Sequence, residues 1–98
     1  MAQFDVFQLP DDTLVVDLQS NLIETGTRVV APLVPASENL KAITRLEPVF
    51  EIGGKYLALH TAEMAAIPKK FLSREPKADL SAHEYEIKNA LDMVFSGF

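Results

Sequence analysis

The two histidines of this chain are the residues whose chemistry best suits a metal site or acid–base catalysis. His60 ends an apolar run, whereas His83 lies close to Glu84 and Glu86. A structural or catalytic metal ion needs three or four protein ligands at a recognisable spacing. No third ligand accompanies either histidine at such a spacing. We therefore expect no metal site and no cofactor.

The other charged clusters have ordinary structural interpretations. Asp11 and Asp12 stand in a predicted turn, where aspartate side chains hydrogen-bond to nearby backbone groups. Lys69, Lys70 and Arg74 are expected on an exposed strand edge, where lysine discourages aggregation between strands. The chain has no phosphate-binding loop, dinucleotide-binding glycine motif, zinc-protease motif or nucleophile elbow. The motifs therefore identify no catalytic residue.

Length and composition predict a single globular domain over residues 1–98. The hydrophobic share of 48% and the charged share of 23% are typical of a folded chain. A net charge of −5 argues against direct binding to nucleic acid. The absence of cysteine excludes disulfides and thiolate metal sites. Since neither a signal peptide nor a membrane span is recognisable, we expect a cytoplasmic protein that does not contact the membrane.

Short strands are predicted over the first two-thirds of the chain, because apolar runs recur there between turn signals. Gly53-Gly54 separates two such runs and predicts a hairpin. Pro32 demotes the second half of its strand to an edge or a bend. Residues 35–47 form either a helical turn or a loop, and residues 61–68 form a connection. The predicted strands are residues 3–9, 14–19, 28–34, 49–52, 55–60 and 69–73.

The C-terminal segment changes to a helical period. Ser81 and Glu84 form a predicted capping box, Leu80 and Tyr85 occupy the two hydrophobic-staple positions, and Gly97 is expected to end the helix. Strands followed by one terminal helix predict an α+β fold, a small antiparallel barrel or a curled sheet. The inward stripe of this helix comprises Ile87, Leu91, Val94 and Phe98.

Met93 and Phe95 are predicted to point away from that stripe. Apolar residues on a second face suggest a surface that is covered by another molecule. The alternative is a wide core face with one stray methionine.

Three blocks of sequence, in order along the chain, carry a family resemblance that extends over nearly the whole chain. They read VDLQSNLIETGTRVVAPL at residues 16–33, PVFEIGGKYLALHTAEMAAIP at 48–68 and ADLSAHEYEIKNALDMVFSGF at 78–98. Through these blocks the chain resembles CcdB, the toxin of plasmid-type toxin–antitoxin modules. Small length differences from the family fall near residues 10–13 and 35–47.

The resemblance implies an SH3-like barrel with a long C-terminal helix, assembled as a homodimer. It implies a toxin that binds the A subunit of DNA gyrase and traps gyrase on cleaved DNA without being a catalyst. It also implies a cognate antitoxin that neutralises the toxin and joins it in repressing their operon. Operator DNA is then bound only through the antitoxin complex.

The family's gyrase-binding end reads Trp-Gly-Ile, and the matching positions here are Ser96, Gly97 and Phe98. Glycine is kept and the last residue stays apolar, but the tryptophan is lost. That tryptophan stacks on a gyrase arginine in the family, so its loss bears on the strength of poisoning. The resemblance also implies that Asp92 and Phe95 face gyrase, and that Met93 and Phe98 lie at the dimer interface.

Leu22 and Ile23 match a loop pair that lies near the gyrase contact in the family. The alternative for them is a loop that only caps the barrel. Antitoxin contacts in the family correspond to residues 9–13 and 38–47.

Two other functions remain open. MazF/Kid-type toxins use the same barrel to cut single-stranded RNA, and Arg28 and His60 would be the candidate catalytic groups for that reaction. A non-toxic, antitoxin-binding member of the CcdB family is the third possibility.

Overall fold

An antiparallel sheet curls around the core in the computed structural model, which describes residues 2–36 and 45–97. The elements are β1 (Asp5–Gln8), β2 (Leu14–Asp17), β3 (Thr27–Pro35), β4 (Val49–Ile52), β5 (Lys55–Leu59), β6 (Ala65–Pro68), β7 (Ala78–Asp79) and α1 (Glu84–Ser96). The strands follow the order β4-β5-β3-β2-β1-β7, and β6 pairs with β3. The result is a mainly β, nearly closed barrel with one C-terminal helix, so the predicted fold class is confirmed.

Strand β3 is the centre of the sheet. It pairs with β2 on one side, and on the other side with β6 in its first half and β5 in its second half. Pro32 lies between these two partners, and its carbonyl accepts a hydrogen bond from the His60 N–H at 2.9 Å. The prediction of an edge or a bend after Pro32 was wrong for the edge, because Leu33 pairs with β2 and with β5, whereas the bend stays a prediction. The N–H that proline lacks would face the His60 carbonyl, which accepts a hydrogen bond from the Glu63 N–H at 3.0 Å instead.

The sheet buries side chains on both of its faces. Val6 and Phe7 are neighbours in β1 and therefore point to opposite faces, yet both are buried. Phe7, Val15, Val30 and Leu72 form a smaller cluster on the outer face. The main core consists of Phe4, Val6, Val16, Leu18, Ala31, Leu33, Phe50, Leu57, Leu59, Leu80 and Ile87.

The two predicted turns are confirmed. Gly53 and Gly54 have φ angles of 60° and 82°, as a two-residue hairpin loop between Ile52 and Lys55 requires. In the first hairpin, Oδ1 of Asp11 accepts a hydrogen bond from the Thr13 N–H at 3.0 Å. This bond stabilises the charged carboxylate and lowers the pKa of Asp11.

Two assignments between the central hairpin and the helix were wrong. Residues 69–73, predicted as a strand, begin with a 3-10 turn at Lys69–Phe71. The strand lies just before it, at Ala65–Pro68, within the segment predicted as a connection. Alanine-rich sequence is a poor strand signal, and β6 forms because its backbone pairs with Thr27–Val30 of β3. Of the uncertain region 35–47, residues 37–44 lie outside the described residues.

The start of the helix also differs from the prediction. Ser81–His83 forms a 3-10 turn without a side-chain capping bond, and α1 begins at Glu84. Oδ1 of Asp79 accepts the hydrogen bond from the Ser81 N–H at 2.8 Å, so Asp79 supplies the acceptor that the capping box assigned to the Glu84 side chain. Tyr85 is 79% exposed and does not staple the helix to buried Leu80.

The buried side of α1 is centred on Ile87 and Ala90. Leu91 and Val94 of the predicted stripe are half-buried, and Phe98 lies outside the described residues. Ala90 was missing from the predicted stripe, because a small residue contributes little to an apolar pattern. No helix among the described residues is long and apolar enough to cross a membrane.

The hydrogen bonds of the Asp79 carboxylate predict that its contribution to stability depends on pH. Hydrogen bonds from Ser81 lower the pKa of Asp79 below its ordinary value of 3.8. A carboxylate whose pKa is lowered on folding stabilises the protein at pH values above its ordinary pKa. This stabilisation is lost as the pH falls through the pKa of the folded state. We expect Asp79→Ala to destabilise the protein at about pH 7 and the difference from wild type to shrink below about pH 4. Urea unfolding at several pH values measures this, and a difference unchanged in acid would contradict it.

Candidate functional site

The loop between β2 and β3, residues 18–26, displays two apolar side chains to solvent. Leu22 is 92% exposed and Ile23 is 52% exposed. Binding residues often lie on loops that a rigid scaffold positions. The structure thus leaves both predicted contact residues of this β2–β3 loop accessible to a partner.

The C-terminal turn of α1 forms a second exposed area. Phe95 is 75% exposed, and Asp92 and Ser96 are exposed beside it. Gly97 adopts a left-handed φ of 82°, and its N–H donates to the Met93 carbonyl at 2.9 Å. The predicted C-cap is therefore confirmed. The helix ends with an aromatic side chain in solvent, next to the exposed Asp92 and Ser96.

The two residues predicted to point away from the core behave differently. Phe95 does point into solvent, whereas Met93 is half-buried. The assignment of Met93 to a dimer interface stays a prediction. Phe98 lies outside the described residues, so its gyrase and dimer assignments also stay predictions. Among the described residues, no hydrogen bond or ion pair joins the C-terminal turn of α1 to the β2–β3 loop.

A buried ion pair lies beneath the β2–β3 loop. Arg28 and Asp17 are 1% and 0% exposed, and the Arg28 Nε donates to Oδ2 of Asp17 at 2.9 Å. The other guanidinium nitrogens donate to backbone carbonyls, Nη2 to Gln19 at 2.9 Å and Nη1 to Ile23 at 3.4 Å. Arg28, the candidate cation for RNA cleavage, is therefore enclosed and directed at the protein's own backbone.

The sequence reasoning missed Asp17 and Gln19 as members of this network. A usable signal was present, because Asp17 and Arg28 are opposite charges at the ends of two apolar runs that one loop connects. Charged residues in such strands are rarely buried unless they are paired. Gln19 gives no comparable signal, since a glutamine in a loop is ordinarily solvated.

His60, the other candidate for RNA cleavage, lies between two carboxylates. Its Nδ1 is 2.6 Å from Oε2 of Glu63 and 4.0 Å from Oε2 of Glu47. It follows β5, and the neighbouring Thr61 is buried with its hydroxyl donating to the Leu46 carbonyl at 2.6 Å. This arrangement ties the turn at Thr61–Glu63 to the segment before β4.

His83 is only partly exposed, unlike the solvated histidine that its position at the helix start predicts. Its ring packs on Phe50 with 4.8 Å between ring centroids, and its Nδ1 lies 3.1 Å from Oε1 of Glu86. Nowhere in residues 2–36 and 45–97 do three or more histidine or carboxylate side chains group as metal ligands.

The basic cluster is in contact with the β2–β3 loop. Lys69 pairs with Glu24, and this cation lowers the pKa of the Glu24 carboxylate. The Lys69 N–H also donates to the Gly26 carbonyl at 3.1 Å. Lys70 lies over the ring of Phe71, 5.3 Å from its centroid. Lys69 therefore binds the β2–β3 loop and does not lie on a free strand edge.

A groove of about 480 Å³ lies between the first hairpin turn and the β4–β5 hairpin. Its apolar lining includes Leu14, Leu33 and Ile52, and Asp11 and Lys55 add opposite charges. Part of the first implied antitoxin region, residues 9–13, borders this groove. Most of the second implied region, residues 38–47, lies outside the described residues.

The buried ion pair generates a stability prediction. Removing one partner of such a pair leaves an uncompensated buried charge and costs about 3–5 kcal/mol. We expect Asp17→Ala to lower the free energy of unfolding by about that amount, measured by urea denaturation. The double variant Asp17→Leu with Arg28→Met removes both charges and is expected to recover much of the loss. Equal losses in the single and double variants would argue against an electrostatic cause.

Comparisons with known proteins agree with this fold. The family model described as CcdB protein matches residues 3–97. The solved structure of the Mycobacterium tuberculosis toxin MazF-mt6 is similar with a TM-score of 0.72 and 17% sequence identity, and the match covers 93% of each chain. At that identity the likeness to MazF-mt6 shows the barrel fold alone.

The family model accounts for nearly the whole chain, including the β2–β3 loop and the end of α1. The chain therefore belongs to the CcdB family, whose members are toxins of toxin–antitoxin modules.

Proposed function

We propose that this protein is a toxin that binds the A subunit of DNA gyrase and traps gyrase on cleaved DNA. The observation that carries the proposal is the solvent exposure of Phe95 at the end of α1, where the family has its gyrase contact. Asp92, Ser96 and Gly97 are exposed in the same turn. A terminal helix that displays an aromatic side chain, ended by a fixed glycine cap, suits insertion into a protein surface.

The exposed pair Leu22 and Ile23 supports the same proposal as a second contact area. Removal of aliphatic side chains from water by a partner stabilises the complex by about 25 cal/mol per Å² of buried apolar surface. Together with Phe95 they supply apolar contact on a chain whose net charge of −5 disfavours direct DNA contact. The target of such a surface is a protein, and DNA is reached only through that protein.

The substitution of the family's tryptophan by Ser96 weakens this contact in our proposal without abolishing it. An aromatic ring on an arginine contributes roughly 1–2 kcal/mol when the contact is desolvated. Phe95, one position earlier and exposed, supplies an aromatic side chain at the same helix end. We therefore propose a gyrase poison of reduced potency.

We also propose that the protein acts by binding and not by catalysis. The Arg28 guanidinium, which an RNA-cleaving toxin on this barrel would need, is 1% exposed and donates to Asp17, Gln19 and Ile23. A catalytic cation must reach the substrate atom on which charge develops. An enclosed arginine directed at its own backbone does not suit that role.

The assembly is proposed from the family. A homodimer forms with Met93 at its interface, which is consistent with a methionine that is half-buried in the monomer. A cognate antitoxin neutralises the toxin and binds near the first hairpin, beside the groove that Asp11 and Leu14 border. The toxin–antitoxin complex represses its operon, and the antitoxin makes the DNA contact.

Gyrase from the protein's own host, incubated with supercoiled plasmid and the protein, tests the proposal. We expect inhibited supercoiling and accumulation of cleaved DNA. Phe95→Ala should lower potency about tenfold, because it removes an aromatic contact, and Ser96→Trp should raise potency. Tyr85→Ala is the matched control, since Tyr85 is an equally exposed aromatic at the other end of α1.

No inhibition and no trapped cleavage would overturn the gyrase proposal. Cleavage of single-stranded RNA by the wild type, abolished in an Arg28→Ala variant, would support the ribonuclease alternative. Tight binding of an antitoxin without growth arrest would identify a non-toxic, antitoxin-binding member of the family.

A further inference from the structure

The position of Leu22 does not come from packing of its own side chain, which is 92% exposed. The neighbouring residues from Asn21 to Gly26 are exposed as well. A loop without packed side chains samples many conformations unless its backbone is held by hydrogen bonds. The conformation of the β2–β3 loop therefore depends on which groups bind its backbone.

Local hydrogen bonds close a turn around Leu22. The Ser20 hydroxyl accepts from the Leu22 N–H at 3.1 Å, and the Ser20 carbonyl accepts from the Ile23 N–H at 3.1 Å. Both bonds lie within the loop. They fix the shape of the turn but do not attach it to the sheet.

One side chain attaches both ends of this turn to the sheet. Arg28 donates to the carbonyl of Gln19 on the entering side and to the carbonyl of Ile23 on the leaving side. The guanidinium is itself held by Asp17. Because Asp17 is in β2 and Arg28 is in β3, the anchor belongs to two paired strands.

Gln19 adds a second connection between the same groups. Its Nε2 donates to the Ile23 carbonyl at 2.8 Å, and its Oε1 accepts from the Val29 N–H at 2.9 Å. The carboxylate of Asp17 accepts from the Gln19 N–H at 3.0 Å. The Ile23 carbonyl is thus bound by both Arg28 and Gln19, while Leu22 remains free of contacts that would cover it.

We propose that Arg28 is the positioning residue of the β2–β3 loop, which it pre-organises so that Leu22 and Ile23 are presented in one fixed conformation. Naming gyrase as the partner rests on the proposed function above. The ordering of the loop itself does not depend on that partner. A loop that is already ordered loses less conformational entropy on binding, and this loss is a principal cost of association.

Arg28→Lys tests the proposal, because lysine keeps the charge beside Asp17 but lacks the planar fork that binds two carbonyls. Backbone order parameters from NMR relaxation measure the loop in the free protein. We expect order parameters of about 0.85 at Leu22 and Ile23 in wild type and below about 0.6 in Arg28→Lys. Arg74→Lys, the same substitution at an exposed position, is the control and should leave the loop unchanged.

A binding cycle separates positioning from general structural support. Arg28→Lys should weaken gyrase binding about tenfold when Leu22 and Ile23 are present, and have little effect when both are alanine. In a Phe95→Ala background the full tenfold loss should persist, because that contact lies on a different element. A purely structural role of Arg28 would weaken binding equally in all three backgrounds.

Unchanged order parameters in Arg28→Lys, or equal losses in all backgrounds, would overturn the proposal. If Arg28→Lys fails to fold, the double variant Asp17→Leu with Arg28→Met removes the guanidinium together with the carboxylate that it pairs with, and the same loss of loop order is expected. If the wild type does not bind gyrase, the proposed function fails, and the order parameters still decide whether Arg28 positions the loop.

Discussion

In our proposal, the buried pair of Asp17 and Arg28 is the interaction on which the β2–β3 loop and its contact residues depend. Two charges that are 0% and 1% exposed are stable only if their hydrogen-bonding groups are satisfied. Here backbone carbonyls of the β2–β3 loop replace water as hydrogen-bond acceptors for Arg28. The conformation of the loop therefore follows from the need to satisfy the buried arginine. The same enclosure takes Arg28 out of reach of a substrate. One interaction thus favours a binding loop and disfavours a catalytic site on the same barrel.

Strand β3 connects Arg28 to the rest of the sheet. It contains Arg28 near its start, pairs with β6 and then with β5 on one side, and pairs with β2 on its other side. Pro32 lies where the partner changes, and the His60 carbonyl that its N–H would face accepts from the Glu63 N–H instead. The 3-10 turn at Thr61–Glu63 connects β5 to β6 across this change, and His60 donates its N–H to the Pro32 carbonyl. The sheet therefore continues along β3 without an interruption at the proline.

The end of α1 has a different physical basis from the loop. Ile87 and Ala90 attach the helix to the core, and Gly97 ends it in a left-handed conformation that only glycine adopts at little cost. Phe95 is left in solvent by the helical period, because it lies away from the buried face. In our proposal, gyrase contacts two exposed areas. Buried polar groups hold the first, the β2–β3 loop, and helix geometry holds the second, the C-terminal turn of α1. Ser96 changes the chemistry of the second contact but not its place.

The sequence by itself determined the features that depend on local chemistry. Gly53-Gly54 and Gly97 require positive φ angles, Asp11 binds its own turn, and the alternation of apolar residues marks most strands. The tertiary structure alone decided the remainder. β6 is a strand because its backbone pairs with β3, Asp79 rather than Glu84 accepts the bond from the Ser81 N–H, and Phe50 partly covers His83. The role of Arg28 belongs to this second group, since its partners lie 5, 9 and 11 residues away in the chain and are brought to it only by the pairing of β2 with β3.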